Sequence, residues 1–177
     1  NLAKNKSEIN IRIYETQASF NEAQGLSKNY KGRARYELKT KTIHTVSRPN
    51  FQKLKYSIYH ELIHYASHDY IGKLPHWLLE GLAEYYESCD IQGKQIKVYS
   101  QDGENHTMDR VGYLANLKKQ GKLPSVNDFM KLPDSYWETH NKLMYSMSWA
   151  IVKKIVESKS GKETLRKMLE TKVSGPS

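Results

Sequence analysis

Two histidines four residues apart, His60 and His64, bracket Glu61 in the segment His60-Glu61-Leu62-Ile63-His64. On a helix this spacing puts both imidazoles on one face, one turn apart. Two neutral ring nitrogens so placed can share one zinc ion. Glu61 points about 100° away around the helix. It can reach a water on the metal without ligating the metal, so the pattern joins metal binding to water activation. A random arrangement of this composition would produce the pattern about 0.02 times per chain. The chemistry implied is hydrolysis assisted by one Zn2+ per chain, with His60 and His64 as ligands and Glu61 as general base.

A catalytic zinc site usually has three protein ligands and a water. His68 continues the spacing but has drifted around the helix and lies a further turn on. A third histidine six residues after His64 is ruled out, because that position is Tyr70, and Ser67 stands where the longer zinc pattern has glycine. The remaining source is a carboxylate on the next helix. Gly72 and Pro75 allow a short loop to fold that helix back, and Glu80 and Glu84 both then come within reach. Helical spacing lets one of them ligate and the other hydrogen-bond a ligating histidine, a common arrangement at metal sites.

The stretch Leu74-Pro75-His76-Trp77-Leu78-Leu79-Glu80-Gly81-Leu82-Ala83-Glu84-Tyr85 resembles the third-ligand helix of gluzincins, zinc peptidases in which a glutamate follows the His-Glu-x-x-His motif. It is closest to the Trp-Leu-x-Glu-Gly-x-Ala form of the aminopeptidase N group and of peptidase-MA-like domains. The resemblance implies Glu80 as ligand and Glu84 as the carboxylate that hydrogen-bonds a ligating histidine, whereas thermolysin-like spacing alone would select Glu84. Tyr145-Ser146-Met147-Ser148-Trp149-Ala150 is similar to a Tyr-x-x-Ser-Trp-Ala helix of the same group. By that likeness Tyr145 is the transition-state-stabilising tyrosine; read from pattern alone, it is a packed aromatic. The resemblance covers residues 53–89 well and 142–169 loosely. No Gly-x-Met-Glu-Asn element is present, so an endopeptidase is implied in preference to an aminopeptidase.

These residues need a scaffold. Ile9 to Tyr14 alternates with the period of a half-buried strand. Thr16 is a helix N-cap for a short helix ending at Gly25. Arg33–Leu38 and Thr42–Ser47 read as a hairpin. Helices are predicted over Phe51–His68, His76–Ser88, Asn105–Lys119, Asn141–Ser158 and Lys162–Thr171, with the last two separated by Gly161. A short helix is predicted after Ser125, and a strand over Gln95–Tyr99. Strands first and helices afterwards is an α+β pattern. The whole chain, residues 1–177, reads as one domain, β-rich over 1–48 and helical over 49–177. The resemblance implies a zincin-like fold whose small mixed sheet lays an edge strand over the zinc. Thr42–Ser47 is the predicted edge, binding a peptide substrate by β-augmentation.

Composition narrows the rest. The chain has 177 residues, 38% hydrophobic and 27% charged, enough for a core without disulfides, and its single cysteine, Cys89, permits no internal disulfide. No apolar run approaches the ~20 residues that span a bilayer. The start at Asn1 fits a chain whose leader has been removed, and a secreted or cell-envelope protein is expected. Net charge is +9, but Lys4, Lys6, Lys28, Lys31, Lys39, Lys41, Lys53 and Lys55 are dispersed. That dispersal favours a solvated surface over a nucleic-acid interface. His44, His76, His106 and His140 read as structural or exposed. A rival reading is a binding or sensory domain that retains zinc with little turnover; the retained Glu61 argues against it.

Overall fold

The computed structural model describes residues 8–93, 95–98 and 109–174, with side chains to residue 170. Its first helix begins where the sequence predicts. The Thr16 side chain accepts from the Ser19 N–H at 3.1 Å, and the Ser19 hydroxyl accepts from the Thr16 N–H at 3.2 Å. This reciprocal cap opens α1 (Gln17–Ala23). Strands β1 (Asn10–Tyr14), β2 (Ala34–Glu37) and β3 (Thr42–Val46) form a mixed sheet in the order β1-β3-β2. β1 runs parallel to β3 and β2 antiparallel to it. A parallel pair needs a long crossover, here supplied by α1 and β2. The chain is therefore α+β.

Two strand expectations are corrected. Thr42–Ser47 is not the edge. β3 is central, and Ile43, His44, Thr45 and Val46 are buried on both of its faces, against α1 on one side and α2 (Phe51–Ala66) on the other. The edge facing the candidate site is β2. The alternation of β1 does not mark a half-buried strand either, since Ile11 and Ile13 are 47% and 52% exposed. Period-2 patterning selects strands, but it does not choose their neighbours or cover their faces.

The Asn50 side chain caps α2 by accepting from the Gln52 N–H at 2.9 Å. The helix buries Leu54, Glu61 and Tyr65, spaced seven and four apart on one face. It ends at Ala66 instead of His68 and continues as one π-turn over Ser67–Ile71. Gly72, at φ 87°, closes the turn by donating its N–H to the Ser67 carbonyl at 2.7 Å. Only a residue tolerant of positive φ fits there without strain. The loop to Pro75 then folds α3 (His76–Tyr86) back on α2, as predicted.

α3 is clamped from its other side by α6 (Ser135–Glu157). A Cβ on Gly81 would stand 2.6 Å from the Ser148 carbonyl oxygen and 2.6 Å from a Val152 methyl. The residue beside Glu80 is therefore glycine because two helix backbones meet there. Gly81→Ala should destabilise the fold by about 1–3 kcal/mol through overpacking. Thermal denaturation measures this, and an unchanged melting temperature would contradict so close a contact.

The later elements differ from prediction mainly at their ends. α6 starts six residues before Asn141 and carries a kink at His140, where φ is −126° and ψ 33°. His140 is thus in a helix, its ring stacked on Tyr136 at 3.8 Å. The break before α7 (Lys159–Ser174) falls at Ser158, whose hydroxyl accepts from the Gly161 N–H at 3.0 Å; Gly161 lies inside the helix. α5 (Val126–Phe129) lies where expected, and α4 (Arg110–Lys119) ends at the predicted Lys119 but opens at Arg110, behind its Asp109 cap. The predicted Asn105 start of α4 falls outside the described residues, as does Tyr99. A strand not predicted, β4 (Cys89–Gln92), follows α3 and pairs with β5 (Gln95–Val98). Cys89 is buried in it.

The core lies between α3 and α6, where Leu78, Leu82, Tyr85, Trp149 and Val152 pack together, and extends to Phe129, Trp137, Met144 and Met147. Burying each such side chain contributes about 1.5–3 kcal/mol. Among the described residues no helix is long and apolar enough to cross a membrane.

Candidate metal centre

α2 and α3 face each other across three converging side chains. His60 Nε2 lies 3.4 Å from Glu80 Oε2, and His64 Nε2 lies 3.6 Å from Glu80 Oε1. The two imidazole centroids are 5.1 Å apart. One donor atom from each of His60, His64 and Glu80 falls within 4.8 Å of the others. These residues can hold a metal ion. Four-coordinate zinc keeps N and O ligands about 2.0–2.2 Å away, which separates the ligand atoms by about 3.3–3.6 Å. Two imidazoles and a carboxylate also match a donor set typical of catalytic zinc.

A second observation supports the fit. Glu80 Oε2 is buried and makes no well-formed hydrogen bond among the described residues; His60 Nε2 stands off at 3.4 Å. An orphaned buried carboxylate oxygen is costly, and a cation between it and the two rings would satisfy it. Electrostatics point the same way. Burial opposes ionisation of Glu80, but the nearby rings of His60, His76 and His64 hold its carboxyl well below the usual range. Burial opposes a charged His60, yet Glu80, Glu87 and Glu84 raise its pKa well above the ordinary value. Burial lowers His64 to about 4 despite the pull of Glu80. The surrounding carboxylates thus favour positive charge at this point, and burial favours the neutral form of His64, the form in which an imidazole ligates a metal.

Glu61 sits on the sheet-facing side of α2, 8% exposed. Its Oε2 accepts from the Tyr36 N–H of β2 at 2.8 Å. Burial raises its pKa, and the charge of His60 and this hydrogen bond pull back. The Arg33 carbonyl accepts from the Val46 N–H. With the alternating antiparallel ladder, Arg35 and Glu37 also face β3, while the backbone groups of Ala34 and Tyr36 face outward over the site.

Glu84 lies on the far side of His60. Its Oε1 is 3.8 Å from His60 Nδ1, whereas Glu87 Oε2 is only 3.3 Å away and hydrogen-bonds that nitrogen. The ring can donate through Nδ1 and keep Nε2 for a metal. Glu84 and Glu87 both pair with buried Arg110, the first residue of α4, and that guanidinium also stands 5.6 Å from the Trp149 ring centre. His60, Glu84 and Glu87 form a second group of possible ligands, but both of its carboxylates are already paired with Arg110. Glu87 and Arg110 were missed in the sequence. The repeat of Glu84 and Glu87 at a three-residue spacing was the available signal for the first, and nothing local signals the second.

Tyr145 of α6 borders the same space as His60, Glu61, His64 and Glu80, with its ring edge-on to Trp137 at 5.1 Å. Burial and the charges of Glu80, Glu84 and Glu61 raise its pKa, so it stays a protonated donor. Two clefts flank the centre. One of about 930 Å3 is walled by Leu74, Trp77, Phe129, Trp137 and Met144, with His64, His68 and His76 at its rim. The other, of about 720 Å3, adjoins His60, Glu61 and Tyr145 and is walled by Lys31, Arg33, Arg48 and Lys53.

Of the remaining histidines, His44 is buried and hydrogen-bonded to the Tyr14 hydroxyl at 2.8 Å. His76 is closer to the chemistry than its position suggested. Its Nε2 is 3.6 Å from Glu80 Oε1 and its ring stacks on Trp137 at 4.2 Å. His68 is exposed beside Asp69, and His106 lies outside the described residues. Compared with known proteins, the chain matches no family model, no curated protein and no solved structure. The gluzincin reading therefore rests on the residues of the site alone.

Proposed function

We propose that this protein is a zinc-dependent peptidase of the gluzincin type, built on a zincin-like fold. The observation that carries the reading is the convergence of His60, His64 and Glu80 within 4.8 Å beside a buried Glu61 held against a sheet edge. His60, His64 and Glu80 are the residues that would hold zinc. Zinc bound there would supply Lewis acidity and lower the pKa of a water at its open position to about 7.

The chain's own groups supply the rest. The outward-facing Ala34 N–H and the Ala34 and Tyr36 carbonyls hold an extended peptide as an added strand, so the substrate edge is β2, while the Tyr36 N–H stays with Glu61. Glu61 accepts the proton of the attacking water and passes it to the leaving amine. Tyr145 donates a hydrogen bond to the oxyanion, and Trp137 fixes its ring. Glu87, with Glu84 and Arg110 behind it, sets the orientation of His60.

Metal analysis and cleavage of a mixed peptide library test this together. About one zinc per chain is expected, with internal amide bonds cut, activity lost to a chelator and restored by zinc. A protein free of zinc even after loading would overturn the reading. Zinc without any cleavage would move the function to a binding domain.

A further inference from the structure

The basic residues are dispersed along the chain, but four of them gather beside the centre. Lys31 and Arg33 come from the segment leading into β2, and Arg48 and Lys53 from the entry to α2. Together they wall the cleft that opens onto His60, Glu61 and Tyr145. The acids in that wall are already engaged. Glu84 and Glu87 face Arg110 and His60, and Glu61 takes the Tyr36 N–H. Among the described residues, no carboxylate pairs with Lys31, Arg33, Arg48 or Lys53, and Arg48 Nε is buried without a hydrogen-bond partner. Burial and the like charge of Arg33 depress the Arg48 pKa against the smaller pull of Glu87. Two guanidiniums on one cleft, neither ion-paired with an acid among the described residues, form a site for an anion.

Direction follows from the sheet. The basic cleft lies at the Ala34 end of β2, whereas His64 and His68 border the apolar cleft. A peptide added antiparallel to β2, the more stable pairing, places its C-terminal half over that end. We propose that Arg48 and Arg33, with Lys31 and Lys53, bind a carboxylate of the peptide substrate located on the C-terminal side of the cleaved bond. The source is an acidic side chain or the chain's own terminal carboxylate. This rests on the peptidase reading and names the substrate class for it.

The test uses four peptides of one core sequence. One is neutral and C-terminally amidated, one is neutral with a free C-terminus, and two are amidated with Asp either after or before the cleaved bond. The wild-type protein should prefer a carboxylate after the bond by roughly tenfold or more in kcat/KM, the size of one charge-assisted hydrogen bond. The second and third peptides show which carboxylate is recognised. The ratio to the neutral amidated peptide should fall towards one in Arg33→Gln/Arg48→Gln, with zinc content reporting that the site is still formed. Peptide binding to a Glu61→Gln protein, read by fluorescence anisotropy, should show the same preference without turnover. Cleavage of all four peptides at equal rates overturns the anion subsite and leaves the peptidase reading standing. Binding that depends on Arg48 without any cleavage by the wild-type protein does the reverse. A preference that survives in the double variant also overturns the proposal.

Discussion

Glu61→Gln is expected to keep about one zinc per chain and to lose peptide hydrolysis by roughly 10²–10⁴-fold, the usual contribution of a positioned general base. Glutamine has the same shape, and its carbonyl oxygen can still accept from the Tyr36 N–H that now bonds Glu61 at 2.8 Å. His60, His64 and Glu80 are untouched, so metal content should not move. Only the ability to take a proton disappears. Metal analysis beside kcat on a verified substrate separates these effects, and undiminished hydrolysis would remove Glu61 from the chemistry. Tyr145→Phe is the natural comparison. The ring keeps its edge contact with Trp137 at 5.1 Å and loses only the donor, which should cost about 10²–10³-fold in kcat.

Glu80→Ala is expected to weaken zinc binding beyond the 10–100-fold typical of an outer hydrogen-bond partner, and Glu84→Ala and Glu87→Ala to stay within about that range. The difference is geometric. Glu80 offers its two oxygens to the Nε2 atoms of both His60 and His64, at 3.4 and 3.6 Å. Glu84 meets only the back of the His60 ring, at 3.8 Å, and is otherwise committed to Arg110. Its removal leaves a buried guanidinium with Glu87 alone, and breaking a buried ion pair costs about 3–5 kcal/mol. Glu84→Ala should therefore show in the melting temperature and Glu80→Ala in the zinc titration. Zinc loss confined to Glu84→Ala would transfer the ligand role to Glu84.

Much of the site was legible in the sequence because it is local. Helical periodicity alone puts His60 and His64 on one face and turns Glu61 towards another, and Gly72 with Pro75 announces a tight return of α3. Glu80 over Glu84 came from family resemblance, and the fold sets Glu80 nearer both histidines. Element ends were less legible. The π-turn after Ala66, the early start of α6 and the break at Ser158 depend on caps and packing that periodicity does not carry.

The His-Glu-x-x-His pattern by itself determined two of the candidate metal-holding residues and the candidate base, since residues one turn apart on a helix are neighbours in any fold. Only the tertiary structure decided what stands around them. It made β2 the edge and β3 the centre, because strand order is set by a crossover and by which faces α1 and α2 cover. It brought Arg110 under Glu84 and Glu87 from 23 and more residues away. It also collected Lys31, Arg33, Arg48 and Lys53 into one wall, although the sequence shows dispersed charge. Charges interact through space, and their separation along the chain does not fix their separation in the fold.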